Sequence, residues 1–160
     1  MSGEFSWFNF IGQAVVVVAG WYVVHRLTVA RDIDKSRREM IAKAADSLIE
    51  NLTDLLSEIR EYHLNDRDFA QELKIKSALQ DAAMRTTGLH QVCKERDLIS
   101  RCNSSLGAVR RAATMEHFED EHTGPLGQRD RLFEDVAAAV VKAKQDILHL
   151  KHSQFPRSAS

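Results

Sequence analysis

The segment Phe5–Val24, FSWFNFIGQAVVVVAGWYVV, contains no Asp, Glu, Lys, Arg or His. As an α-helix it would rise about 30 Å, which is the thickness of the hydrocarbon core of a bilayer. Aromatic residues lie at both of its ends, as they do where membrane helices meet the headgroups; they are Phe5, Trp7, Phe8, Phe10, Trp21 and Tyr22. We therefore predict that residues 1–25 form a single transmembrane anchor.

The charges that flank this segment predict its orientation. Glu4 is the only charged residue before it, which is the wrong charge for the start of a cleaved secretory signal peptide. The residues after it carry a basic surplus, which favours the cytoplasmic side: Arg26, Arg31, Lys35, Arg37, Arg38 and Lys43. The pattern predicts a single-pass protein of the inner (cytoplasmic) membrane, in contact with its lipids, with the N-terminus outside.

The remainder of the chain is predicted to be helical, because neither Gly nor Pro occurs between Trp21 and Thr87. A line of apolar residues at alternating spacings of four and three predicts a first helix that continues from the anchor to about Leu64. That line consists of Ile41, Ala45, Leu48, Leu52, Leu55, Ile59 and Tyr62.

Three further apolar lines predict the rest of a bundle of about four helices. After a turn at Asn65–Asp68, the second line is Phe69, Leu73, Leu79, Ala82, Thr86, Leu89 and Cys93. The third is Ile99, Cys102, Leu106, Val109 and Ala113, either on a separate helix or on a kinked extension of the second. A loop at Thr123–Gly127 precedes a last helix, from about Arg129 to Lys151, with Phe133, Val136, Val140, Ala143, Ile147 and Leu150. The predicted fold class is all-α, with a cytoplasmic helical bundle at 26–152 and a disordered tail at 153–160.

One stripe of the predicted anchor combines small residues with amides, namely Asn9, Gly12, Gln13, Val16 and Gly20. Small residues allow helices to approach closely, and amides can hydrogen-bond between helices within lipid. The stripe favours homo-oligomerisation, and with five or more copies its amides would line a lumen instead of a dry seam. The alternative is that Asn9 lies near the headgroups and the glycines are incidental.

The bundle carries opposite charges on different segments. Asp46, Glu50, Asp54, Glu58 and Glu61 repeat at nearly every fourth residue, and such like-charged neighbours destabilise a helix. Residues 74–111 supply a basic surplus: Lys74, Lys76, Arg85, Lys94, Arg96, Arg101, Arg110 and Arg111. We expect the two to meet, either within the bundle or between subunits, with Glu50, Asp54, Glu58, Arg101 and Arg110 as candidates for the inter-subunit contact. A solvated acidic face is the alternative.

Candidates for catalysis are two Arg/His spacings, Arg85 with His90 and Arg111 with His117. This pattern resembles the motif of the HEPN superfamily, whose members are helical bundles that often dimerise and cleave RNA. An Arg can hold a phosphate and a His can transfer a proton near neutral pH. Neither Arg is followed by the Asn, His or Asp that the better-defined motif prefers, so an enzyme is the less favoured hypothesis.

Other chemistry is not indicated by the residue pattern. Glu116–His122 contains possible metal ligands, but all of them come from one element, so a solvated acidic helix end is favoured and no metal or other cofactor is expected. The net charge of −1 argues against strong nucleic-acid binding. The two cysteines, Cys93 and Cys102, are expected to be reduced core residues of a cytoplasmic domain.

The layout of an anchor, a helical bundle and Arg/His spacings resembles the small CRISPR-associated membrane proteins that accompany type VI-B RNA-guided nucleases. The resemblance implies a HEPN-like fold, a membrane pore that serves antiviral defence, and an RNA-guided nuclease as a partner. The leading hypothesis is therefore a homo-oligomeric inner-membrane pore or membrane-perturbing protein. The alternatives are an anchored adaptor for a cytoplasmic partner and an anchored HEPN-type ribonuclease.

Overall fold

Every secondary-structure element in the described part of the chain is an α-helix. The computed structural model describes residues 5–114, 118, 125–127 and 129–155. The side chains of residues 5–11, 13 and 14 lie outside this description. Within these ranges there are four helices and no strand: α1 at Phe5–Leu64, α2 at Phe69–Val92, α3 at Arg96–Thr114 and α4 at Arg131–Ser153. The all-α fold class and the four-helix count predicted from the sequence are confirmed.

The chain divides into two units, Met1–Glu39 and Met40–Ser160. In the first unit, Asp34 accepts a hydrogen bond of 2.7 Å from Arg38, and Arg37 lies 3.8 Å from the same carboxylate. Basic side chains of this unit are therefore partly neutralised by local i,i+3 and i,i+4 pairs.

The second unit buries one continuous apolar core. All seven apolar positions predicted on the first helix are buried, from Ile41 to Tyr62, and so are all five on α3. On α4 the positions from Val136 to Leu150 are buried, and Phe133 is half-buried. The predicted periodicity was correct for these three helices because each buries one stripe against the others.

On α2 the predicted apolar line is wrong over its first two turns. Phe69 and Leu73 are each 69% exposed, and Glu72 and Ile75 are buried in their place. Farther along the same line, Ala82, Leu89 and Cys93 are buried as predicted. The inward side of α2 therefore carries the carboxylate of Glu72 near its start. The spacing of apolar residues alone predicts that this position is exposed to solvent.

The helix ends follow local capping rules. Asp68 caps α2 by accepting a hydrogen bond of 2.8 Å from the amide of Ala70, and Asp130 caps α4 in the same way through Leu132. α2 and α3 are separate helices, because Cys93 adopts an extended conformation and closes α2. At the C-terminal end of α1, the amide of Leu126 donates 2.8 Å to the carbonyl of His63. Residues 156–160 of the predicted tail lie outside the described residues.

Candidate functional site

The first unit exposes many large apolar side chains between Val15 and Ile33. Its large apolar side chains have exposed fractions from 41% at Val29 to 71% at Val16. They are Val15, Val16, Val17, Val18, Trp21, Tyr22, Val23, Val24, Leu27, Val29 and Ile33. In the part of the chain that the structure describes, no helix is long and apolar enough to cross a membrane.

The predicted small-residue stripe lies on this surface. Gly12, Val16 and Gly20 are exposed, and a Cβ added at Gly12 or Gly20 would meet no atom within 4 Å. The side chains of Asn9 and Gln13 lie outside the described residues. The two glycines are therefore open positions of the single chain, where a larger side chain is accommodated.

Two ring contacts and one cation lie at the end of the predicted anchor. The imidazole of His25 stacks on the indole of Trp21, with 5.3 Å between ring centroids. Arg26 donates a hydrogen bond of 3.1 Å to the hydroxyl of Tyr22, and its guanidinium lies 5.7 Å from the ring centroid. Rings with a polar edge beside a cation are typical of positions where a helix passes from apolar to aqueous surroundings.

Part of the acidic face of α1 is neutralised within the bundle. Glu58 pairs with Lys74 of α2 at 2.7 Å, and Asp46 pairs with Lys151 of α4 at 2.6 Å. The pKa of Lys74 is raised, chiefly by the hydrogen bond and charge of Glu58, with smaller contributions from the nearby carboxylates of Glu61 and Asp54. Glu58 therefore meets the predicted basic segment within the chain, whereas Asp46 pairs with Lys151, which lies outside that segment.

The remaining acidic side chains of this face are accessible to another molecule. Glu50, Asp54 and Glu61 are exposed, and none of them forms an ion pair with a described residue. We call these three residues the acidic stripe. Neither Arg101 nor Arg110 is paired with the stripe, so the candidate inter-subunit residues are not brought together within one chain.

Arg101 lies on a groove of about 630 Å³ between α3 and α4. Small residues form most of its walls, with Lys142 and Asp146 on the α4 side; the small residues are Ser100, Ser104, Ser105, Ala108, Ala138 and Ala139. Lys142 approaches Asp146 at 3.7 Å. Arg101 is exposed and forms no ion pair with the described part of the chain. We call this feature the α3/α4 groove.

Arg110 lies on a second groove, of about 610 Å³, between α2 and α3. Lys76 and Phe118 are also on its wall, and the Lys76 ammonium lies 5.7 Å from the centroid of the Phe118 ring. Phe118 in turn contacts Tyr62, with 5.2 Å between ring centroids.

Arg85 of the first Arg/His candidate pair is bound by neighbouring side chains of the bundle. Arg85 donates hydrogen bonds to Asp81 at 2.7 Å and to Ser47 of α1 at 2.8 Å, which ties α2 to α1. His90 and Arg111 are exposed, and His117 lies outside the described residues. The local contacts of Arg85 are those of a bundle-stabilising residue.

Sequence reasoning missed a polar cluster in the interior near the α1–α2 turn. The Tyr62 hydroxyl donates 2.9 Å to Oε1 of Glu72, and Nε of Arg67 donates 2.6 Å to the same oxygen. The hydrogen bond of Arg67 is the largest cause that lowers the pKa of Glu72. Arg67 also lies 4.5 Å above the Phe69 ring. The one signal in the sequence is a Glu at an inward position of α2, which demands a partner if buried.

The described residues include no cluster of three or more His, Cys, Asp or Glu side chains able to hold a metal ion, and most of Glu116–His122 lies outside them. The side chains of Cys93 and Cys102 are buried, and burial raises the pKa of Cys102 to about 11, with Asp146 and Cys93 contributing. Comparisons with protein-family models, with curated proteins and with solved structures found no match.

Proposed function

We propose that this protein is a homo-oligomeric, single-pass protein of the inner membrane, whose anchors gather in the bilayer and form a pore or perturb it. The observation that carries the proposal is the apolar surface of α1 between Val15 and Ile33, where the large apolar side chains are exposed. Leaving that much apolar area in water is unfavourable, so lipid or other chains are its natural environment.

Self-assembly is supported by three exposed features of the described residues. Gly12 and Gly20 leave room beside α1, and close packing of helices in lipid uses such residues. The acidic stripe and the α3/α4 groove carry opposite charges, and neither the stripe nor Arg101 forms an ion pair with a described residue. A ring of anchors could enclose an opening, whereas a monomer or dimer with single anchors cannot.

The direct test is the subunit count of the detergent-extracted complex, together with conductance in planar bilayers. We expect five or more chains and a conductance that Gly12→Leu with Gly20→Leu abolishes. Ala14→Leu with Val18→Leu is the matched control, since helical periodicity places those residues on the opposite face of α1. A monomer at micromolar concentration, or a protein that remains soluble after cell fractionation, contradicts the proposal.

An anchored adaptor is the second candidate, and the exposed residues Phe69 and Leu73 on α2 favour it. Two large apolar side chains one turn apart are a common element of protein-binding surfaces. Replacing residues 5–24 with an unrelated transmembrane helix separates the candidates, because an adaptor retains its function and a pore loses it. Leu73→Asp should then abolish partner recruitment by an adaptor.

The ribonuclease hypothesis has less support, because Arg85 is bound to Asp81 and Ser47. RNA decay in cells that carry His90→Ala with His117→Ala tests it. Unchanged decay dismisses both Arg/His pairs together.

A further inference from the structure

We propose that the acidic stripe of one chain, Glu50, Asp54 and Glu61, docks in the α3/α4 groove of a second copy, where Arg101 and Lys142 bind its carboxylates. This inference rests on the self-assembly proposed above. It specifies which two surfaces meet and that the contact is head-to-tail.

The three residues of the acidic stripe form no ion pair with a described residue. On the same face, Asp46 and Glu58 are neutralised by Lys151 and Lys74 within the chain. Glu50 and Asp54 lie between these two positions and Glu61 follows Glu58, and all three are exposed. Like charges one turn apart repel each other, so a cation delivered by another chain stabilises the stripe.

The α3/α4 groove has the matching properties. Ser100, Ser104 and Ala108 on α3 face Ala138 and Ala139 on α4, and such short side chains leave space for an approaching helix. The exposed hydroxyls of Ser100 and Ser104 are available as hydrogen-bond donors to carboxylates.

The charge of the groove remains positive after its one acidic residue is counted. Asp146 has a side chain that is only 19% exposed and lies 3.7 Å from Lys142, whose side chain is 72% exposed. Arg101 has no ion pair with a described residue. A guanidinium can bind a carboxylate through two parallel hydrogen bonds, which also fixes its orientation.

The two surfaces lie on different sides of the second unit, so one molecule cannot bring them together. α1 contacts α2 through Arg85 and Ser47, and it contacts α4 through Lys144 and Thr53 at 2.7 Å. The groove is formed by α3 with the other side of α4. A contact between two different surfaces is heterologous, and it closes into a ring when the rotation permits.

Site-directed disulfide formation in native membranes tests the contact. Asp54→Cys and Ser104→Cys are placed in one chain, and copper phenanthroline is added as the oxidant. We expect a ladder of cross-linked species that extends beyond a dimer, because each chain offers both ends of the contact. Neither single variant should give a ladder, since the native thiols Cys93 and Cys102 are buried. Asp66→Cys with Ser104→Cys is the matched control.

Charge reversal provides the second test. Glu50→Lys with Asp54→Lys should weaken association on the order of tenfold or more, and Arg101→Glu with Lys142→Glu should do the same. Combining all four changes should restore the mass of the complex, because the opposite charges meet again. Asp66→Lys with Glu134→Lys controls for the change in net charge, and circular dichroism verifies that each variant is folded.

The outcomes separate this inference from the proposed function. A membrane-bound, oligomeric wild type that shows neither ladder nor response to charge reversal overturns the inference and leaves the proposed function standing. A monomeric or soluble wild type overturns both. A third outcome is that Arg101→Glu with Lys142→Glu abolishes binding of anionic vesicles or of RNA and leaves the subunit count unchanged. That result also overturns the inference, because it shows that the groove binds phosphate groups.

Discussion

Tyr62 on α1 donates a hydrogen bond of 2.9 Å to Oε1 of Glu72 on α2, within the buried part of the α1–α2 hairpin. Arg67 of the intervening turn donates to the same oxygen at 2.6 Å. A buried carboxylate costs several kcal/mol unless it is paired and hydrogen-bonded, and here both conditions are met. The cluster therefore fixes the angle at which α2 leaves the turn.

Removal of this carboxylate should destabilise the bundle. Glu72→Ala leaves the Tyr62 hydroxyl without its acceptor, so we expect a loss of about 1–3 kcal/mol in the free energy of unfolding. Urea unfolding of the full chain in detergent, followed by circular dichroism, measures it. The exposed control Glu134→Ala should change the value by less than about 0.5 kcal/mol. Equal effects of the two variants would contradict the role assigned to Glu72.

The same cluster predicts a pH dependence at the alkaline end. Burial, with the hydrogen bond and charge of Glu72, raises the pKa of Tyr62 from 10.0 to about 12. A raised pKa means that the folded state holds the proton more tightly. The associated stability is therefore complete below pH 10.0 and is lost as the pH rises towards about 12.

Tyrosinate absorbance measures this shift directly. The chain has two tyrosines, so Tyr22→Phe leaves Tyr62 as the only one that titrates. We expect the midpoint to lie well above 10.0 in the folded protein and to return to the ordinary value in denaturant. A folded-state midpoint at the ordinary value would show that the hydroxyl is not held by Glu72.

Two apolar residues within one turn of α2 should respond differently to truncation. Ile75 is fully buried and Leu73 is 69% exposed. Ile75→Ala should cost about 2–5 kcal/mol of unfolding free energy, because it removes buried methyl groups and leaves a cavity. Leu73→Ala should cost less than about 0.5 kcal/mol in the same assay. If Leu73→Ala were the more costly change, the inward face of α2 would be assigned incorrectly.

The ion pairs that join α1 to its neighbours should contribute little and should depend on salt. The Lys74 side chain is 65% exposed in its pair with Glu58, so water competes for both charges. We expect Glu58→Gln to reduce the free energy of unfolding by at most about 1 kcal/mol at low salt. The difference from wild type should shrink further in 1 M salt, where the Debye length is about 3 Å. A large effect independent of salt would indicate a role beyond this pair.

Much of the fold could be predicted from residue spacing. On α1, the seven apolar residues from Ile41 to Tyr62 recur at helical intervals, and all are buried. The N-cap residue Asp68 could be predicted as well, because N-capping depends only on residues next to one another in the sequence. Its side chain accepts a hydrogen bond from the amide of Ala70 in the first turn of α2. On α2 the same reasoning failed, because Phe69 is exposed and Glu72 is buried instead. Glu72 is satisfied in the interior by hydrogen bonds from Tyr62 of α1 and Arg67 of the turn, which residue spacing does not reveal.

The candidate sites could be predicted less well, for a related reason. Periodicity identified an acidic face on α1 and a basic surplus in residues 74–111, but it left open where they meet. Folding pairs Glu58 with Lys74 and leaves Glu50 and Asp54 exposed. The α3/α4 groove could not be predicted at all, because its walls come from two helices.

Helix positions, caps and the uncharged opening segment follow from local sequence, since helical periodicity and capping act within a few residues. The inward orientation of α2, the partner of each charge and the position of the grooves depend on which helices become neighbours. Those features come from contacts between residues far apart in the chain, such as Asp46 with Lys151, and only the packed bundle brings such residues together.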